Sequence, residues 1–280
     1  MTFSIIGYDP DEKEWGIAVQ SKFLGVGAVV PWAKAGVGAV ATQSYANTSF
    51  GPEGLRLMEK GKSAEEALHT VLEKDPGREQ RQVGFIDANG NAATFTGGEC
   101  YDWAGGVIGP HYAAQGNILV DENTVKAMAD TFQEKKGSLA ERLLAALQAG
   151  QDAGGDSRGQ QSAALLVVKD RGGYGGFNDR YIDLRVEDHI EPIKELTRIY
   201  QLQQLYFAPS KAENVIPIEG EFETELKANL ERLGYLAKDK TTDLFQALKN
   251  YIHTENFEER EQTTGKIDKV VLEYMKKQQR

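Results

Sequence analysis

Alternating apolar and polar positions predict two β-hairpins at the start of the chain. The runs TFSIIGYD and EWGIAVQS flank the turn-like PDEK, and VGAVVPWA and GVGAVATQ flank AKAG. Short alternating runs separated by turn residues are typical of hairpins. A third hairpin is predicted where QVGFIDA and NAATFTG meet at Asn89-Gly90, a dipeptide that favours two-residue turns. Further strands are predicted near Gly106 and Tyr112, and in QSAALLVV and YIDLRV.

Helical periodicity marks the blocks between these strands. PEGLRLMEKGKSAEEALHTVLEK is predicted to be helical, and a capping box at Ser63 and Glu66 predicts that a second helix begins inside it. DENTVKAMADTFQEKK and SLAERLLAALQAG are predicted to form two more helices. Antiparallel strands with helical blocks outside them predict an α+β layered sandwich.

The composition changes near residue 190. Of the 30 glycines, only Gly220, Gly234 and Gly265 lie beyond that point. The runs IKELTRIYQLQQLYF and EFETELKANLERLGY each keep one apolar face, and TTDLFQALKNYIH and GKIDKVVLEYMKKQ predict two further helices. We therefore predict a domain of residues 1–189 followed by a small helical domain of residues 190–280.

Charge and cysteine content narrow the class of protein. The 280 residues carry a formal net charge of −10 without a basic cluster, so we expect no nucleic-acid partner. A single cysteine, Cys100, allows no intramolecular disulfide and favours a reducing compartment. No basic segment or apolar signal region follows Met1, so we expect a cytoplasmic protein with no membrane association. The four histidines lack metal-ligand spacing, and no phosphate-binding or dinucleotide-binding motif is present, so neither a metal nor a cofactor is expected.

Counting the hairpin registers brings polar residues together. A turn around Asp11-Glu12 places Thr2 opposite Ser21. A turn around Lys34-Ala35 brings the start of the next strand, near Gly27, to the end of the strand after it. The residues expected at this edge are Thr2, Ser21, Lys22, Gly27, Thr42 and Gln43. Lys34 is expected at the opposite edge, where it cannot reach Thr2.

Four segments resemble a bacterial family of unknown function, numbered 1028. They are MTFSIIGYDP, SKFLGVGAVVPWAKAGVGAVATQSYAN, YAAQGNILV and GGDSRGQQSAALLVV, which together cover most of residues 1–189. That family is regarded as related to the N-terminal-nucleophile hydrolases. The resemblance implies a four-layer αββα fold in which a catalytic threonine begins the first strand.

The resemblance also implies roles for individual residues. Thr2 would be the nucleophile after removal of Met1, and its α-amine would be the general base. Lys22 would be the cation that lowers the pKa of that amine. Ser21 stands where related enzymes carry an acidic residue. Backbone N–H groups around Thr42 and Gln43 would form the oxyanion hole.

Four other polar residues have both a functional and a structural interpretation. Asn117 and Asp156 match positions at which the superfamily keeps supporting polar residues, but they could equally be a helix cap and a loop residue. Arg158 could bind a substrate carboxylate or be solvated. Asn47, like Gln43, could contact substrate or satisfy backbone groups in a turn.

Two hypotheses for function follow. The first is an N-terminal-nucleophile amidohydrolase that cleaves an amide or isopeptide bond through Thr2. The alternative is a non-catalytic module that binds a peptide or cell-wall fragment in the same cleft. LKANLERLGY and the later LFQALKNY resemble a peptidoglycan-binding domain, although a plain helical bundle fits them as well. Small amides, peptides or muropeptide fragments are thus the expected ligands. A homo-oligomer is also expected, because N-terminal-nucleophile hydrolases often form oligomers.

Overall fold

The computed structural model describes residues 2–237 and 243–279, and the chain divides into two compact units between Arg198 and Ile199. This division lies beyond residue 189, where the composition changes, and it falls within a helix. In the described part of the first unit the strands are β1 (Thr2–Asp9), β2 (Glu14–Ser21), β3 (Pro31–Lys34), β4 (Gly38–Ser44), β5 (Arg81–Asp87), β6 (Ala92–Thr96), β7 (Gly105–Gly109), β8 (Tyr112–Asn117), β9 (Ser162–Val168) and β10 (Arg180–Val186). The helices are α1 (Phe50–Glu59), α2 (Ala64–Glu73), α3 (Asn123–Glu134) and α4 (Leu139–Asp152), and α5 (Pro192–Phe207) contains the division.

The strands form two antiparallel sheets that face each other. One has six strands in the order β10-β9-β2-β1-β8-β7, and the other has four in the order β3-β4-β5-β6. Apolar side chains from both sheets, including Ile6, Ile17, Ala39 and Ile86, fill part of the space between them. Alternate residues on a strand point to opposite faces, so one set fills this interior and the other faces the helices.

A helical layer covers the outer face of each sheet. Helices α1 and α2 pack on the four-stranded sheet, and α3 and α4 pack on the six-stranded sheet. Helices α3 and α4 lie close to the six-stranded sheet. A Cβ atom at Gly7 would lie 2.6 Å from Cζ of Phe132 on α3, and one at Gly16 would lie 2.6 Å from Cδ1 of Leu143 on α4. The predicted four-layer αββα sandwich is therefore confirmed.

A local sequence signal sets the start of α2. The capping box of Ser63 and Glu66 begins α2 as predicted, with both reciprocal hydrogen bonds present. The first strand of the second predicted hairpin, however, does not start near Gly27, because Val26–Ala28 form a turn of 3₁₀ helix and β3 begins only at Pro31. Lys34 lies at the far end of β3, opposite Gly38, as expected.

The second unit is not purely helical. Besides the end of α5 it contains β11 (Val215–Pro217), α6 (Gly220–Arg232), α7 (Leu244–Thr254), β12 (Lys266–Asp268) and α8 (Lys269–Lys277), and the two strands pair antiparallel. The start of the predicted run TTDLFQALKNYIH, Thr241 and Thr242, lies outside the described residues. Among the residues described, no helix combines the length and apolar composition that crossing a membrane requires.

Candidate functional site

Thr2 and Ser21 lie side by side at one end of the six-stranded sheet. Phe3 pairs with Gln20, so the antiparallel register places Thr2 opposite Ser21, as predicted. Both side chains point toward the other sheet, because they share strand faces with Ile6 and Val19, which line the interior. The Thr2 side chain is buried, and its Oγ1 donates a hydrogen bond of 3.1 Å to Oγ of Ser21.

Two side-chain amides hold the main chain of Thr2. Its carbonyl oxygen accepts hydrogen bonds from Nε2 of Gln43 at 3.2 Å and Nδ2 of Asn117 at 3.4 Å. Both amides also donate to Oε1 of Gln82, at 2.8 Å each. Gln82 therefore orients both donors. Asn117 is the last residue of β8 and is paired with Thr2, so it is not the cap of α3, which begins at Asn123.

These amides belong to a longer chain of hydrogen bonds between the sheets. Oγ1 of Thr94 donates to Oε1 of Gln115, whose Nε2 donates to Oγ of Ser4. Oγ of Ser4 donates to Oε1 of Gln43, and Nε2 of Gln82 donates to Oγ1 of Thr96. The two sheets are thus joined near Thr2 by amides and hydroxyls instead of apolar side chains. A buried polar network of this kind fixes its members in place when each finds a partner.

A cavity of about 420 Å³ opens at this end of the sandwich. Its floor is polar and its walls are largely apolar. The lining residues are Thr2, Ser21, Phe23, Val26, Val29, Val30, Gln43, Ser44, Tyr45, Ala46 and Arg81.

An ion pair supports the loop that follows β4. Nε of Arg81 donates to Oδ2 of Asp75 at 2.9 Å, and Nη1 of Arg81 donates to the carbonyl oxygen of Tyr45 at 2.6 Å. Hydrogen bonds from Arg81, Asn47 and the Gly77 backbone lower the pKa of Asp75 to about 2, against an opposing effect of burial. Asp75 is therefore ionised near neutral pH and holds Arg81 against the cavity wall.

Asn47 has a structural part in the same loop. Its Nδ2 donates to Oδ2 of Asp75 at 3.0 Å, and its Oδ1 accepts hydrogen bonds from the backbone and hydroxyl of Ser49. It is not among the residues that line the cavity. The prediction that Asn47 contacts substrate is therefore replaced by a role in shaping the loop.

The predicted oxyanion donors need a correction. The backbone N–H of Thr42 donates to the carbonyl oxygen of Val30 at 3.1 Å, and its hydroxyl donates to the carbonyl oxygen of Asn47. Successive N–H groups on a strand alternate between its two edges, so the N–H of Ser44 points to the same side as that of Thr42. At that position β3 has not yet begun, and Ser44 lines the cavity. Ser44 is thus the better-placed donor.

Lys22 does not supply the expected cation. It follows Ser21 in the chain, so its side chain leaves the opposite face of the strand. The side chain is exposed, and its Nζ donates to the carbonyl oxygen of Gln160 at 3.2 Å. Arg81, which the sequence analysis missed, is the cation that lines the cavity with Thr2.

Asp156 and Arg158 act at the exit of β2. The buried carboxylate of Asp156 accepts a hydrogen bond of 3.0 Å from the backbone N–H of Lys22 and forms an ion pair with Arg158. Asp156 thereby fixes the chain directly after Ser21. Arg158 is not among the residues that line the cavity, so the structure does not support its predicted contact with a substrate carboxylate.

Comparison with known proteins identifies the two parts of the chain. Residues 2–196 match the model of a family of unknown function, DUF1028, and residues 206–275 match a model described as "Putative peptidoglycan binding domain". No curated protein gives a significant match.

Similar solved structures include protein SPO2555 from Silicibacter pomeroyi, described as DUF1028. It shares 32% sequence identity, with a TM-score of 0.67 over 80% of this chain and 92% of that chain. Two Anbu structures are more distant. A Gly-1 mutant from Hyphomicrobium sp. strain MC1 has 12% identity and a TM-score of 0.34, covering 73% of this chain and 96% of that one. The ancestral beta-subunit from Yersinia bercovieri has 11% identity and a TM-score of 0.33, covering 73% and 95%. The family match and the similarity to SPO2555 agree over most of the first unit, and the chain belongs to the DUF1028 family.

Proposed function

We propose that the protein is an amidohydrolase in which Thr2, freed by removal of Met1, is the N-terminal nucleophile. The observation that carries the proposal is the placement of the Thr2 hydroxyl. It is buried at the floor of the cavity, it donates to Ser21, and its own carbonyl is fixed by two amides. An attacking atom held in one orientation avoids much of the entropic cost of reaching the transition state.

In the first half of the reaction the free α-amine of Thr2 takes the hydroxyl proton. Such an amine has an ordinary pKa of about 8, so roughly a tenth of it is unprotonated at pH 7 and about half at pH 8. Oγ1 attacks the amide carbonyl carbon, and the N–H of Ser44 stabilises the negative charge that develops on oxygen. The C–N bond breaks, the leaving amine takes the proton from the α-ammonium, and an ester links the acyl group to Thr2.

In the second half water attacks the ester. The α-amine accepts a proton from the water, the ester C–O bond breaks, and Oγ1 regains a proton. One amide and one water are converted to one carboxylic acid and one amine. Ser21 positions the Thr2 hydroxyl, and Gln43 and Asn117 hold the residue that carries it.

The alternative function is a module that binds a peptide or cell-wall fragment without cleaving it. The same cavity supports it, and so does the peptidoglycan-binding match of residues 206–275. The two functions differ in whether Thr2 forms a covalent bond.

Intact-mass spectrometry of protein purified from its own cells tests the first requirement. Loss of Met1 is expected, and retention of Met1 would remove the free amine and contradict the mechanism. A β-lactone electrophile should then add its full mass to the wild-type protein and to Thr2→Ser, but not to Thr2→Ala. Thr224→Ala, at an exposed position in the second unit, is the matched control and should react normally. Equal labelling of Thr2→Ala would exclude Thr2 as the nucleophile.

A further inference from the structure

We propose that the cavity selects an uncharged, apolar acyl group, so that the substrate is an amide of a branched aliphatic or aromatic acid. This inference rests on the proposed function for the cleavage step, whereas the binding preference that it states can be measured without cleavage.

The cavity wall is built largely from apolar side chains. The segment that follows β2 contributes Phe23, Val26, Val29 and Val30. Val26 and Val30 are only 1% and 3% exposed, so packing holds this part of the wall rigidly. Tyr45 contributes from the loop after β4. Because burial of apolar surface is favourable, such walls stabilise an apolar group more than a polar one.

The charges around the cavity cancel. Arg81 is the one charged residue among those lining it, and the ionised Asp75 neutralises Arg81 at hydrogen-bond distance. The side chains of Thr2, Ser21, Gln43 and Ser44 are uncharged, and the α-amine of Thr2 must be unprotonated to act as the base in the proposed reaction. A carboxylate or ammonium on the acyl group would lose its hydration here without gaining an unpaired opposite charge, which is costly.

The cavity is also the place where the acyl group must reside. After the amine leaves, the acyl group stays bonded to Oγ1 of Thr2, so it occupies space that this atom faces. The volume of about 420 Å³ falls in the range that accommodates small ligands. One apolar side chain with the adjoining carbonyl group is therefore a suitable occupant.

A series of N-acetyl-amino-acid 4-nitroanilides tests the preference, because all members release the same chromophore and differ only in the acyl part. We expect kcat/KM for leucine or phenylalanine to exceed that for glycine by at least about 10-fold, since each methylene in an apolar pocket contributes at least about that factor. The glutamate and lysine compounds should fall below glycine. Equal rates across the series, or faster cleavage of a charged member, would overturn the inference while leaving the amidohydrolase proposal intact.

Val29→Asp is the matched variant, because Val29 is half-buried in the wall and the change places a carboxylate there. It should reduce the leucine-to-glycine ratio to about 1. An unchanged ratio would show that this wall does not contact the acyl group.

If the wild-type protein cleaves none of these compounds, the proposed function fails for this class of amide, and binding decides the inference separately. Titration calorimetry with the Thr2→Ala full chain would then compare N-acetyl-leucinamide, N-acetyl-glycinamide and N-acetyl-glutamic acid amide. Tighter binding of the leucine compound supports an apolar ligand site. Equal binding of all three, or no binding, overturns it.

Discussion

Replacement of Asp75 by asparagine tests how strongly the ion pair behind the cavity stabilises the first unit. The ordinary pKa of this carboxyl group is 3.8, and its hydrogen bonds lower the pKa to about 2 in the folded protein. A difference of a little under two pH units corresponds to about 2 kcal/mol of stability from the ionised form. Because the folded pKa is the lower one, this contribution is present above pH 4 and is lost as the pH falls toward 2.

The free energy of unfolding can be measured by guanidinium titration with tryptophan fluorescence. Trp15, Trp32 and Trp103 all lie in the first unit, so the signal reports on the unit that contains Asp75. At pH 7 we expect Asp75→Asn to be less stable than wild type by about 2 kcal/mol. The difference should narrow by about 1 kcal/mol at pH 3, since part of the wild-type carboxylate contribution is then lost.

A surface ion pair gives the matched control. Glu53 is paired with Arg56 on α1, where both side chains are partly exposed. Such pairs contribute little, so Glu53→Gln should change the stability only slightly at either pH. If Asp75→Asn shows the same deficit at pH 7 and pH 3, or none at all, the ionised carboxylate is not what stabilises the loop.

Three further substitutions test the polar chain, the packing and a helix cap. Gln82→Leu removes the acceptor shared by Gln43 and Asn117. With a 4-nitroanilide that the wild-type protein cleaves, we expect kcat to fall by at least about 10-fold and KM to change less. An unchanged kcat would argue against a positioning role for Gln82. Gly84→Ala would place a Cβ atom 2.4 Å from Oε1 of Gln115, and we expect the free energy of unfolding to fall by about 1–3 kcal/mol in chemical denaturation. An unchanged free energy would mean that the Gln115 side chain and its hydrogen bonds can shift to make room. Ser138→Ala removes the capping box of α4 and should cost about 1 kcal/mol by the same measurement, with normal stability indicating that water replaces the cap.

The part of the site that depends on a short hairpin could be predicted from the sequence. A tight turn fixes the register, so counting from Asp11-Glu12 placed Thr2 opposite Ser21, and the structure confirms this pairing. The same counting was wrong for the run VGAVVPWA, because it assumed that this apolar run is an extended strand from its first residue. The turn of 3₁₀ helix at Val26–Ala28 instead bends the chain into the cavity wall.

The residues that sequence analysis missed come from strands that are distant in the chain. Arg81 and Gln82 begin β5, and Gln115 lies in β8, so their approach to Thr2 depends on how two sheets pack face to face. One signal was available. Gln43, Gln82 and Gln115 are polar residues within strands that are otherwise apolar, and a buried strand rarely carries a large amide unless it has partners. The prediction for Lys22 was wrong for a local reason. Ser21 points into the interior, and the next residue on a strand points to the opposite face.

The polar chain between the sheets has a direction. From Thr94 through Gln115, Ser4, Gln43 and Gln82 to Thr96, every member donates to the next, and the chain leaves and returns to the same strand, β6. Dipoles aligned in this way polarise one another, so each bond strengthens its neighbours. No single amide can turn over alone without setting two donors or two acceptors against each other. Backbone carbonyl oxygens fix which way the chain runs, because reversal would turn Oε1 of Gln43 toward the carbonyl oxygen of Thr2 and Oε1 of Gln82 toward that of Gly116, which accepts from Nε2 of Gln82 at 2.7 Å. The interior beside Thr2 therefore has a single hydrogen-bonding orientation.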